Sequence, residues 1–397
     1  MARHPLGNMY AMTAERAREY GFVSHYNHTG SEASDKLANN ITLTSEEWVQ
    51  LLTGPVQFIT QSGGWGGAGF DATVLPQLLL CFPWVIAFLM FRVFTQRQLI
   101  RVGLWLQVVV PKGGTAATLS NSQRRKLKKF QNQVWLATYY IVSTIFGYAV
   151  QIGKPWFGLP VSKANRVALL TPHPYKPGNG LLCYYQYGLG FYIAEMLALL
   201  TEYDIKRSDF VEYFIHHIVT VALIVVSHCS YEHRFGVYVL LIHDASDIML
   251  ALSKILNYVL GAQAKRMRQR KAGKKVDVVE AKSSFLYRMI FCETTMNIVF
   301  VAFTAVFVFF RLVCLPYLAL SNIVYGVKIR MFTWSYCLLI FLLQVALQGL
   351  HIYWFTIIVK VLINTALGSR VDDIRSEDDE DDGNVREKAS FKHSKTS

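Results

Sequence analysis

The chain has 397 residues, 52% of them hydrophobic and 17% charged, where a soluble domain usually carries about 25% charged residues. The formal net charge is +13, yet residues 371–397 hold nine acidic and five basic side chains, which leaves roughly +17 on the remainder. Lys and Arg fall between apolar runs near 20 residues long. They therefore read as topology signals and headgroup contacts, and the basic balance argues against a nucleic-acid partner.

Residues 1–70 are polar, become glycine-rich from Ser62 to Gly69, and begin with no apolar h-region, so no cleavable signal peptide is expected. Two acceptor sequons occur here, Asn27-His28-Thr29 and Asn40-Ile41-Thr42. Hydropathy then predicts seven spans, at 73–94, 134–152, 181–201, 211–230, 235–260, 285–314 and 333–366. The fourth and fifth carry several polar residues and are expected to score poorly on hydropathy alone. The last two are longer than a bilayer requires. The polytopic, all-α class is expected to leave residues 71–124 as a first span with a basic connection, 125–366 as the main bundle, and 367–397 as a disordered acidic tail.

Counting Lys and Arg in the connections sets the sidedness. The stretches 92–133, 202–210 and 261–284 hold nineteen, whereas 153–180, 231–234 and 315–332 hold seven. The first set is predicted to be cytosolic. An odd number of spans then puts the amino terminus and both sequons outside, and the tail in the cytosol. In that tail Ser376 precedes an acidic run from Glu377 to Asp382, the setting of a site for an acidophilic kinase; a solvated, unmodified tail is the plainer reading. Six cysteines lie singly in or beside apolar runs with no CxxC pair, so they read as small buried hydrophobes.

Ionisable residues inside spans are costly and usually functional. The fourth span places Glu212, His216 and Thr220 on one helical face and Tyr213 and His217 on another. The fifth aligns His243, Asp247 and Lys254, with Asp244 and Asp247 three residues apart. Only about four residues join the two spans, which makes them an antiparallel hairpin whose histidines and carboxylates face one another. A histidine supplies a base or nucleophile near neutral pH, and a carboxylate steadies its imidazolium. Acyl transfer to an amine fits this set; a transporter's proton relay or polar packing uses the same residue types. A di-iron centre, suggested by His228 and His233, fails on ligand count. His228 reads as interfacial, and His351 in the last span reads as a packed, hydrogen-bonded histidine.

The run Lys206-Arg207-Ser208-Asp209-Phe210, Glu212, His216-His217, Thr220, Ser227, Arg234, Gly236 and His243-Asp244-x-x-Asp247 resembles the longevity-assurance motif of ceramide synthases. Lys129-Phe130, Trp135, Tyr139-Tyr140, Pro155-Trp156-Phe157, Arg311 and Leu347-Gln348-x-Leu350-His351-x-Tyr353-Trp354 are also similar to that family. The resemblance implies a multi-pass protein of the endoplasmic reticulum, with a six-helix TLC bundle over 125–366 preceded by one extra helix. It implies acyl transfer from a fatty acyl-CoA to the amine of a sphingoid base, with no cofactor. Membrane lipids are further expected partners, and homo- or hetero-oligomers remain open.

Carried over by position, the catalytic set is His216, His217, His243, Asp244 and Asp247. Glu212, Thr220 and Lys254 are substrate-binding candidates, and no metal is expected. The connection 315–332 falls where the family differs in acyl-chain preference. Three departures bear on substrate preference: Ala251 stands where the family commonly has Glu, Tyr231 where it has Asn, and residues 111–129 are too short for a homeobox-like insert. The rival reading is a non-catalytic TLC-domain protein that binds or transfers lipid.

Overall fold

The computed structural model describes residues 71–110, 118–158, 165, 168–169, 175–201, 209–271, 285–328 and 334–367. Asn27, Asn40, Ser376 and the Lys206–Ser208 stretch lie outside them.

A 3-10 segment, Ala72–Cys81, leads into helix α1, Phe82–Trp105, whose Pro83 sits in the first turn where a missing N–H does no harm. Helix α2, Asn121–Gln151, starts well before its expected span because Ser120 and Gln123 form a reciprocal capping box, with bonds of 3.2 and 2.9 Å. Its basic first turns bury Leu127 and Phe130 against Leu106, Val108 and Val259. Helices α3 (Asn179–Thr201), α4 (Phe210–Cys229) and α5 (His233–Lys271) follow.

A short helix, Phe285–Ile290, precedes α6, Glu293–Phe307. A π-helical segment, Val308–Cys314, joins α6 to α7, Leu315–Lys328, and α8 is Trp334–Ala366. Every described element is helical, and the chain is an all-α polytopic membrane protein.

Four sequence expectations change. Among the described residues five helices are long and apolar enough to cross a membrane, and these include α4 and α5, which pass on composition despite their polar residues. The two long helices outside that set are α2 and α3. Tyrosine and glutamine depress hydropathy there, but Tyr184, Tyr185, Tyr187, Tyr192 and Gln186 of α3 are all buried against other helices instead of lipid. The sixth span does not end at 314. The π turn keeps the rod helical through Pro316 to Lys328, since the widened turn accommodates a proline that cannot donate its N–H.

Arg92, counted with a basic connection, lies inside the bundle on α1. Its guanidinium pairs with Glu195 of α3, which also accepts from the Trp135 indole of α2 at 2.8 Å. Finally, His228 is buried, not interfacial. Its Nδ1 meets His233 Nε2 at 2.8 Å and its Nε2 donates to the Val74 carbonyl at 3.1 Å.

Helix α3 packs against α1, α2, α4 and α5, and α2 runs along α5. Phe88, Trp135, Tyr139, Tyr187 and Phe191 interlock where α1, α2 and α3 meet. As the sequence predicts, α4 and α5 form a tight hairpin, turning at Tyr231 with φ 61°. Only short polar residues and glycine enter that left-handed region readily, so Tyr231 needs an anchor. Its hydroxyl donates to Asp71 Oδ2 at 2.6 Å, and the Asp71 N–H donates to the Cys229 carbonyl at 2.8 Å.

Candidate active site

Two cavities occupy the interior beside the hairpin. One carries the more polar lining and takes its walls from α2, α3, α4, α5, α6, the π segment and α8. His216, His217, Asp247, Lys254, Arg311 and Trp354 line it. The other is almost wholly apolar and runs toward the hairpin turn past Thr220, Gly236, Val239 and His243. Tyr192 of α3 belongs to both walls. Along α5 the order is Phe235 to His243 on the apolar cavity, then Asp247 to Lys254 on the polar one. At about 1.5 Å per helical residue, His243 and Lys254 stand roughly 16 Å apart.

The adjacent histidines diverge as helical geometry requires. His216 turns toward α8, its ring 5.2 Å from Trp354 and 6.3 Å from His351. Its Nδ1 is sealed and unpartnered, so Nε2 is the nitrogen open to the chamber. His217 turns toward α3, edge-on to Tyr192 at 5.8 Å, and its Nδ1 donates to the Tyr213 carbonyl at 2.8 Å. That bond leaves the neutral ring with its lone pair on Nε2. Thr220 holds the backbone beneath the pair by donating to the His216 carbonyl at 2.8 Å.

The carboxylates go to different partners. Asp247 Oδ1 accepts from Arg311 Nη2 at 2.7 Å, while Arg311 Nε donates to Ser246 at 2.9 Å. Arg311 sits in the π segment, where irregular helix often marks a functional position. Asp244 is turned away from the histidines. Its Oδ2 accepts from Ser143 of α2 at 2.5 Å and more weakly from Tyr184 at 3.4 Å.

Of the eight expected site residues, His216, His217, Asp247 and Lys254 converge on the polar chamber. His243 and Thr220 lie on the apolar cavity, Asp244 binds the α2–α3 wall, and Glu212 is half-buried and lines neither cavity.

Sequence reasoning underrated His351 and Arg311. His351 is fully buried, and neither ring nitrogen has a hydrogen-bond partner, which corrects its reading as hydrogen-bonded. Both carry the signal that should have found them, an ionisable side chain within an apolar span. Tyr192 carried none, because tyrosine is ordinary in such helices, and Trp354 was marked only by its place in the family-like run ending at that residue. Among the described residues no group of three or more His, Cys, Asp or Glu has the geometry of a metal site.

The fold and site define a polytopic helical membrane protein with a histidine-lined polar chamber set against an apolar cavity. The chain belongs to the TLC-domain family, the TRAM, LAG1 and CLN8 group, whose model matches residues 129–360. Ceramide synthase 4 of Mus musculus is 31% identical over 274 residues, covering 68% of this chain and 60% of that protein. Ceramide synthase 3 of the same species is 30% identical over 256 residues, covering 64% of this chain and 56% of that one. ASC1-like protein 1 of Oryza sativa subsp. japonica is 28% identical over 275 residues, covering 65% and 76%. The matched stretch thus spans less than two thirds of the two mouse relatives.

Proposed function

We propose that the chain is an acyltransferase of the ceramide synthase type, moving a fatty acyl group from acyl-CoA to the amine of a sphingoid base. The observation that carries this reading is the open Nε2 of His216 on a polar chamber whose wall, at Tyr192, is shared with an apolar cavity. A thioester needs both: a nucleophile or base for its carbonyl and a dry volume for its chain.

His216 Nε2 attacks the thioester carbon, the C–S electron pair leaves with sulfur, and an acyl-imidazole forms. The amine of the sphingoid base then attacks that carbon and displaces the imidazole. The thiolate takes one proton, and a second is released if the amine arrives as an ammonium. His217 supports the nucleophile through its Nε2, and Asp247 with Arg311 sets the charge beside it. Lys254, Thr220 and Glu212 are proposed substrate contacts, and Asp244 a brace for α5. No cofactor is required, because both substrates bring their own reactive groups.

The proposed setting is the endoplasmic reticulum membrane, with a luminal amino terminus and a cytosolic carboxyl terminus. The Lys and Arg distribution of the connections supports it. The polar chamber then lies nearer the cytosolic, basic face, whose charges attract coenzyme A phosphates. Glycosylation at Asn27 and Asn40 and phosphorylation at Ser376 follow from the same sidedness.

The test is the purified full chain in detergent, given a sphingoid base and acyl-CoA. An N-acylated product is expected, and His216→Ala with His217→Ala should abolish it. Undiminished product from that double variant sinks the assignment of the histidines. Lipid retained by wild type without any turnover favours the rival lipid-binding reading.

A further inference from the structure

Two buried histidines, His243 of α5 and His351 of α8, are left unused by the acyl-transfer scheme and form a linked group with its nucleophile, His216 of α4. His351 lines neither cavity, yet it stands between the two rings that do. Its ring centre lies 5.1 Å from His243 and 6.3 Å from His216. The His228–His233 pair supplies a scale within the same molecule. Those rings are hydrogen-bonded at 2.8 Å between nitrogens and their centres are 4.9 Å apart. His243 and His351 have a similar centre spacing but no hydrogen bond between them, so a small rotation or a bridging water is needed to join them, and His216 stands one such step further away.

The orphaned atoms converge on this gap. Both nitrogens of His351, Nδ1 of His216 and Nε2 of His243 are sealed from solvent and without a partner. A buried polar gap of this kind is where an ordered water is held.

Direction follows from what is already bonded. His243 Nδ1 lies 2.7 Å from the Val239 carbonyl, which can only accept, so Nδ1 carries the hydrogen and Nε2 the lone pair. His243 is thus the proton acceptor at one end. At the other end, Nε2 of His216 faces the chamber and Nδ1 faces inward.

Arg311 is the charged group nearest His243, and Asp247 offsets part of its opposition to a cation there. Arg311 Nη2 is 3.4 Å from the His243 carbonyl, and its charge, which opposes a protonated ring, is paired with Asp247. Phe307 and Trp354, with ring centres 6.2 and 6.4 Å from His351, close the remaining sides.

Resting on the acyltransferase reading, we propose that His351 is a positioning residue that relays the proton lost by His216 to His243. Acylation at His216 Nε2 leaves a cationic acyl-imidazolium whose Nδ1 proton becomes strongly acidic. That proton passes through His351 to His243 Nε2, so the acyl-imidazole is neutral and the new imidazolium balances the departing thiolate. Aminolysis reverses the path. The amine forms the C–N bond, the acyl carbon–Nε2 bond breaks with its electron pair returning to Nε2, and His243 returns the proton to Nδ1. The amine's own proton goes to the thiolate, giving free thiol.

The experiment compares wild type, His351→Gln and His351→Phe as full chains. Acyl-CoA alone is added, and intact mass and thiol release report acylation; sphingoid base is then added and N-acyl product is followed. Acyl-CoA binding and thermal unfolding are measured alongside. Glutamine can hydrogen-bond but cannot relay a proton, so it separates relay from packing. Both variants should acylate about 100-fold more slowly, within the range expected for proton-transfer catalysis. Acyl-CoA binding should be unchanged and the unfolding temperature of His351→Gln close to wild type.

Wild-type acylation kinetics in His351→Gln overturn the relay and leave the acyltransferase reading intact. Wild-type product without any acyl-protein also rejects the relay, because there is then no acyl-imidazolium to deprotonate. Absence of product from wild type rejects the acyltransferase reading itself, and the relay with it.

Discussion

Arg311 reaches from the π segment to Asp247 on α5, Nη2 to Oδ1 at 2.7 Å, and so ties the rod of α6 and α7 to the helix that carries His243. Both side chains are largely withdrawn from solvent, at 4% and 16% exposure. Removing one partner of a buried pair strands the other charge, which costs about 3–5 kcal/mol. Asp247→Ala should lower the thermal unfolding temperature and reduce acyl transfer together. Adding Arg311→Met to Asp247→Ala should recover most of the stability and none of the activity. Equal unfolding temperatures for wild type and Asp247→Ala would falsify the structural half of this statement.

A second buried pair, Arg92 with Glu195, holds α1 to α3, and Trp135 of α2 adds a third arm to the same carboxylate oxygen. Glu195→Ala should destabilise by about 3–5 kcal/mol, because the buried guanidinium loses its carboxylate. Trp135→Phe removes one charge-assisted bond and should cost about 1.5–3 kcal/mol. Chemical unfolding in detergent measures both. If Trp135→Phe proves more damaging than Glu195→Ala, the carboxylate is not the hub.

Gly236 faces the hydroxyl of Tyr185 so closely that an added Cβ would overlap it, and it lies on the wall of the apolar cavity. Gly236→Ala should therefore cost about 1–3 kcal/mol by overpacking. It should also narrow the cavity and bias competing acyl-CoA substrates toward shorter chains. Adding Tyr185→Phe removes the closest clashing atom but leaves the ring Cζ at 2.6 Å, so it should restore only part of the stability and chain preference. An unaltered product distribution in the single variant separates this cavity from the acyl chain.

Ser143 donates to Asp244 at 2.5 Å, and the other oxygen of that carboxylate, Oδ1, is buried without a partner. Ser143→Ala leaves Tyr184 as the remaining donor in contact, at 3.4 Å. A loss of about 1–3 kcal/mol is expected. Because Asp244 braces α5 against α2, turnover should fall while acyl-CoA binding is preserved. Paired unfolding and kinetic measurements on Ser143→Ala and Asp244→Asn decide this. A fall in binding alone would move Asp244 from the brace to the substrate site.

Much of the architecture was readable from local pattern. Seven apolar stretches and the four-residue link after Ser230 announced the long helices and the α4–α5 hairpin, because helix period and chain reach are local properties. Ends were less legible. The capping box at Ser120 starts α2 about thirteen residues before its apolar run, and the π turn carries the helix past Pro316, where a loop was expected. The hydropathy criterion leaves α3 outside the five candidate spans for a related reason. It counts each tyrosine as polar without knowing that the ring will be packed against protein.

The site divided along similar lines. Residue type and spacing were enough to single out His216, His217, His243, Asp244 and Asp247, since ionisable groups in apolar helices are costly enough to mark themselves. Spacing along one helix says which side chains share a face but not what the facing helices bring. Packing of α2, α3, α8 and the π segment turned Asp244 toward Ser143, gave Asp247 to Arg311, and set His351 between His216 and His243. Those are contacts between residues separated by up to about 135 positions in the chain, from Glu212's helix to His351's, and no local periodicity encodes them. Helix type and chemical inventory were thus local facts, whereas each group's partner was settled by how the described helices close around one interior.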